Sequence, residues 1–164
     1  MWRLVVLFAF LASAAPAEMI KAAVKVKVLA VGGQCDAPPD AIVAAPNAGG
    51  GQYENTKGLA DYVVKGDRFP AQRAMGIGLR VKLSGKWRGK TVTVLVLPPV
   101  GRTGSWEQTV ASDGTIDFGR LPAIGEALPE GRYLLSVLDQ GTYLFTYAIT
   151  LDGVAEESLC VPVS

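Results

Sequence analysis

Five cations and a tryptophan fall within eleven residues of this chain: Arg80, Lys82, Lys86, Arg88 and Lys90 accompany Trp87, with no acidic residue among them. Guanidinium and ammonium groups beside an indole hold an anion by charge and a flat or sugar-like group by stacking. These six residues are therefore the candidate binding site, for a sugar, a lipid head group or an acidic protein. They also have a plainer use, in which the indole caps the end of a β core and the lysines stop exposed strand edges from pairing with other chains.

Catalytic chemistry is poorly provided for. The chain has no histidine, which removes the usual general base, the Ser/His and Cys/His hydrolase dyads, and the commonest ligand of zinc, copper and iron. Paired carboxylates remain open to a small hydrolase, and Asp113, Asp117, Glu126 and Glu130 lie near one another in sequence. They fall at turns, however, where such residues are usually solvated or bonded to local backbone. Ser112 to Asp117 begins like a calcium loop but lacks the oxygen ligands at its third and fifth positions and the late glutamate. Ala48-Gly49-Gly50-Gly51-Gln52 has no following helix and no Gly-Lys-Ser or Gly-Lys-Thr, so it is read as flexible rather than phosphate-binding. No catalytic residue, metal or cofactor is expected.

The compartment is read from the N-terminus and the cysteines. Met1-Trp2-Arg3, an apolar run from Leu4 to Ala12, and small residues ending Ala15-Pro16-Ala17 make residues 1–17 a secretory signal, too short in its apolar part to span a bilayer. Cleavage after Ala17 leaves residues 18–164 as one domain, in the periplasm or outside the cell. Cys35 and Cys160, an even count in an oxidising compartment, are expected to form one disulfide. Loss of Arg3 makes the mature chain neutral, with fifteen basic and fifteen acidic residues. A neutral chain gives no electrostatic reason to expect a nucleic-acid partner; an envelope protein or an anionic glycan suits the basic stretch better.

The elements that would hold the site are strands. Apolar residues alternate with polar ones at Val24, Val26 and Val28, at Leu79, Val81 and Leu83, through Thr91 to Leu97, at Tyr133, Leu135 and Val137, and along Tyr143, Phe145, Tyr147, Ile149 and Leu151. Leu59 to Lys65, Trp106 to Ala111 and Thr115 to Phe118 complete the set. Prolines and glycines at about 32–58 predict a long loop. Gly85 to Lys90 and Ser112-Asp113-Gly114 read as hairpin connections, and Asp139-Gln140-Gly141 as a further turn. Seven or eight short strands without a helical apolar stripe predict an all-β protein, an immunoglobulin-like antiparallel β-sandwich, with a small β-barrel as the alternative.

Arg68-Phe69-Pro70-Ala71, Met75-Gly76-Ile77-Gly78, Leu97-Pro98-Pro99 and Leu128-Pro129-Glu130-Gly131-Arg132-Tyr133 follow one another in an order that resembles a bacterial family of small exported domains of unassigned function, over roughly residues 59–151. The last of these patterns also occurs in macroglobulin-type and transthyretin-like modules. The resemblance implies a sandwich fold and carries no catalytic residue. The expected function is that of an exported, non-enzymatic binding module of the cell envelope, the alternatives being a carboxylate-dependent hydrolase and a structural subunit without a ligand of its own.

Overall fold

The computed structural model describes residues 18–35, 41–44, 52–55, 62–122 and 126–160. The signal assigned to residues 1–17 lies outside them. In chain order the strands are β1 (Met19–Ala22), β2 (Val26–Cys35), β3 (Ala41–Ala44), β4 (Gln52–Asn55), β5 (Tyr62–Lys65), β6 (Arg68–Ala71), β7 (Met75–Leu83), β8 (Thr91–Leu97), β9 (Gly104–Thr109), β10 (Thr115–Arg120), β11 (Gly131–Asp139) and β12 (Thr142–Val154). One sheet runs β1-β12-β11-β8-β9, with β6 also on β12; the other runs β10-β7-β2-β5; β3 and β4 pair with each other. Two open sheets face each other, so the fold is a β-sandwich and not a closed barrel.

Period-two burial accounts for the core. Leu79 and Val81 on β7, Val94 on β8, Tyr133, Leu135 and Val137 on β11, and Phe145 and Ile149 on β12 are wholly buried, each two residues from the next inward position on its strand. Burial pushes the phenols of Tyr133 and Tyr147 up to about 12, and the Tyr133 hydroxyl donates to the Pro129 carbonyl across the turn that leads into β11.

Several expectations are corrected by the long-range pairing. The strands exceed seven or eight, and β6 runs parallel to β12. Part of the supposed loop at 32–58 is regular: β2 continues through Gly32 and Gly33 to Cys35, and β3 pairs with β4; residues 36–40, 45–51 and 56–58 lie outside the described set. A side chain at Gly32 would collide with the Val64 carbonyl, so this glycine permits the β2–β5 pairing instead of breaking it. Val24, Val26 and Val28 are only half-buried: Val24 precedes β2, and β5 covers β2 from Gly32 onward, leaving its earlier half without a second partner strand among the described residues. Tyr143 is exposed, since a register shift between Val137 and Leu138 turns it off the face shared by Phe145 and Tyr147. Asp152-Gly153 does not stop β12, which reaches Val154 through an irregularity in its pairing with β6.

Two supposed hairpins are sheet crossings. β7 and β8 lie in different sheets, as do β9 and β10; thus Ser84 to Lys90 and Val110 to Gly114 both pass from one layer to the other at the same end of the sandwich. Ala23 to Lys25 makes a third crossing there, between β1 and β2. At this end Gln140 and Gly141, both at positive φ, form the two-residue turn of the true β11–β12 hairpin.

Candidate functional site

The crossing between β7 and β8 is built by short-range backbone bonds. Trp87 donates to the Ser84 carbonyl at 3.0 Å, Arg88 to Gly85 at 3.3 Å and Lys90 to Trp87 at 3.1 Å, winding Gly85–Trp87 into one turn of 3-10 helix. Gly89 and Val110 then exchange bonds with the neighbouring crossing, from Gly89 N–H to the Val110 carbonyl and from Val110 N–H to the Lys90 carbonyl, both at 2.9 Å. Leu83 N–H donates to the Gly114 carbonyl. Gly114, at φ 90°, also leaves room for that approach, since a Cβ there would lie 2.8 Å from the Leu83 carbonyl oxygen. The two crossings are consequently one braced unit.

Trp87 plugs this unit. It is 5% exposed and packs with the core, while the Lys86 and Lys90 ammonium groups lie 5.0 and 5.1 Å from its ring centre. Its buried indole N–H has no hydrogen-bond partner among the described residues. The indole therefore serves by volume and by its ring, and the N–H is a cost of about 1–3 kcal/mol. Trp87→Phe should consequently hold stability within about 1 kcal/mol, removing the orphan donor while keeping most of the ring. Trp87→Ala should lose about 3–5 kcal/mol by opening a cavity. Urea denaturation separates them; equal losses would show that the N–H contributes to folding.

Arg80 does not share this site. It lies on the outer face of β7 beside Asp117 of β10, with Nε donating to Asp117 Oδ2 at 2.7 Å, and its guanidinium sits 5.5 Å from the ring centre of Tyr62. The Tyr62 hydroxyl donates to Asp117 Oδ1 at 3.0 Å, directly above Gly78, where any Cβ would crowd it. Burial first, then the Asp117 charge, pushes the Tyr62 phenol well above its ordinary range, so it remains a donor. Gln108 of β9 completes the network by donating to the Asp117 carbonyl at 2.9 Å, bridging the adjoining edges of the two sheets. Arg80 and Asp117 thus join β7 to β10.

Lys82, Lys86, Arg88 and Lys90 are exposed. Two further cations join them: Lys25 on the third crossing and Lys27, paired in register with Lys82. Among the described residues, the acids nearest this end are Asp113, on a crossing, and Asp139, the last residue of β11. Asp113 is occupied by Thr115, whose N–H and hydroxyl both lie 2.8 Å from its carboxylate and, with a smaller contribution from Lys82, hold it below the usual range. The site is therefore an open basic surface over a rigid aromatic plug.

The four carboxylates are not gathered. Asp113 lies at the basic end and Asp117 in the Tyr62–Arg80 network, whereas Glu126 and Glu130 follow β10 at the opposite end. No group of three or more potential metal-ligating side chains occurs among the described residues, and none of their helices is long and apolar enough to cross a membrane. Cys35 and Cys160 are joined in a disulfide with Cα atoms 5.2 Å apart. No family model, curated protein or solved structure matches the chain.

Proposed function

We propose that the protein is an exported, non-enzymatic binding module of the bacterial cell envelope whose basic end holds an anionic component of that envelope. The observation that carries the reading is the convergence of Lys25, Lys27, Lys82, Lys86, Arg88 and Lys90 from two sheet crossings and two neighbouring strands. The disulfide and the signal-like start support export. Rigid bracing of the crossings favours recognition, because little loop motion has to be frozen when a partner arrives.

An immobilised sulfated polymer tests this. The mature protein should be retained at low salt despite its neutral charge balance, and elute as exposed charges become screened. Combined Lys86→Glu, Arg88→Glu and Lys90→Glu substitutions should abolish retention. Equal retention of the variant would move the site elsewhere.

A further inference from the structure

Lys27 of β2 and Lys82 of β7 stand directly opposite in register, both exposed on the outer face of their sheet. Like charges so placed oppose strand pairing. Lys27 lies on the open half of β2, so a lysine there guards an edge; Lys82 does not, because β7 is covered by β2 on one side and β10 on the other. Edge protection therefore explains one member of the pair and not its neighbour, whose repulsion the Asp113 carboxylate, already held by Thr115, offsets only in part. The pair continues the basic end around a corner, since Lys86, Arg88 and Lys90 follow Lys82 directly and Lys25 precedes Lys27.

The kind of anion follows from what accompanies these charges. Trp87, the aromatic of the basic crossing, is buried beneath its lysines and offers no stacking face to a sugar ring. Leu29, in contrast, is 42% exposed beside Lys27, at the register shift between Val28 and Ala30. Broadly spread cations, with an exposed aliphatic side chain beyond Lys27 and the exposed Tyr143 beside the β11–β12 turn, suit a layer of phosphate groups above hydrocarbon, where tyrosine also sits at the head-group level.

Resting on the binding reading above, we infer that the basic end docks on the anionic phospholipid surface of a bilayer, with Lys27 and Lys82 among the contacting cations. The attraction falls off within a Debye length, so only cations brought against the head groups contribute, each raising partitioning about fivefold (about 1 kcal/mol).

Co-sedimentation of the mature protein with vesicles provides the test. Vesicles of phosphatidylcholine with phosphatidylglycerol should bind it at low salt and release it at about 1 M, where the screening length is about 3 Å; phosphatidylcholine alone should not bind. Lys27→Gln with Lys82→Gln should lower partitioning roughly 25-fold while the melting temperature holds or rises, because a repulsion has been removed. A purely structural role would lower the melting temperature instead. Equal binding to both vesicle types, or full binding by the double variant, overturns the inference. Retention on the sulfated polymer without vesicle binding rejects the lipid and keeps the anion-binding reading, pointing to an acidic glycan or protein; failure of both rejects both.

Discussion

Val94→Asp is expected to leave the protein unfolded. Val94 is wholly buried in the middle of β8, flanked in register by Trp106 of β9 and Val137 of β11. A carboxylate placed there finds no cation and no donor, because every backbone group of its ladder is already paired. Leaving it charged is prohibitive, and even the neutral acid costs roughly 2–7 kcal/mol when it lacks a hydrogen bond. A domain of this kind has about 5–15 kcal/mol in total, and the lost valine packing adds to the penalty. A slip of one residue offers no escape, since it would turn Val92 and Val96 outward as well. Far-ultraviolet circular dichroism and solubility of the purified variant decide the matter. A soluble Val94→Asp protein with the wild-type β spectrum would contradict the assigned inward face.

Removing the disulfide should also have a large effect. Cys160→Ala is expected to lower stability by about 2–5 kcal/mol with little change in the strand signal. The bridge spans 125 residues of sequence and joins the end of β2 to the tail that follows β12. In the chain-entropy model a loop of roughly this size accounts for about 4–5 kcal/mol. Among the described residues the tail is otherwise held by three hydrogen bonds to residues 71–73: Ala155 N–H donates to the Ala71 carbonyl, Leu159 N–H donates to Gln72 Oε1 at 2.8 Å and the Ser158 hydroxyl donates to the Arg73 carbonyl, while Cys160 itself is buried. Neither sheet needs the tail for its pairing, so both should persist. Urea denaturation of the wild type with and without reductant gives the comparison: reduced wild type should match the variant, and an unchanged midpoint would contradict the assigned role.

Strands with strict alternation were legible from sequence because the signal is local. β8 carries it in full and β7, β11 and β12 over part of their length, and their inward residues supply much of the core. What a strand pairs with is not local. Gly85 to Lys90 and Ser112-Asp113-Gly114 have turn residues that suit a hairpin as well as a sheet crossing, and only the pairing of β7 with β2 and β10, and of β8 with β11 and β9, distinguishes the two. β6 escaped notice because Pro70 reads as a breaker, yet β6 pairs on one side only, where a missing N–H is tolerated.

The site was partly legible for the same reason. Contiguity in sequence grouped Arg80 with Lys82, Lys86, Arg88 and Lys90, but it could not show that Arg80 pairs with Asp117, 37 residues away. It also separated Lys25 and Lys27 from the patch, because only the β2–β7 register brings them there. Hydrogen bonds across strands of distant sequence leave no pattern within either strand.

The central claim is that the basic end binds and is not merely structural, and it is tested most directly in intact cells. Wild type and the Lys86→Glu, Arg88→Glu, Lys90→Glu variant would be crosslinked in place, recovered by a tag and compared for bound protein, glycan and lipid, with melting temperatures measured on the same purified proteins. Binding at this end predicts loss of the crosslinked component with a melting temperature lowered by only a few degrees, since each lysine–indole contact at an exposed site contributes about 0.5–1 kcal/mol. Full recovery of the same component by a folded variant would contradict it.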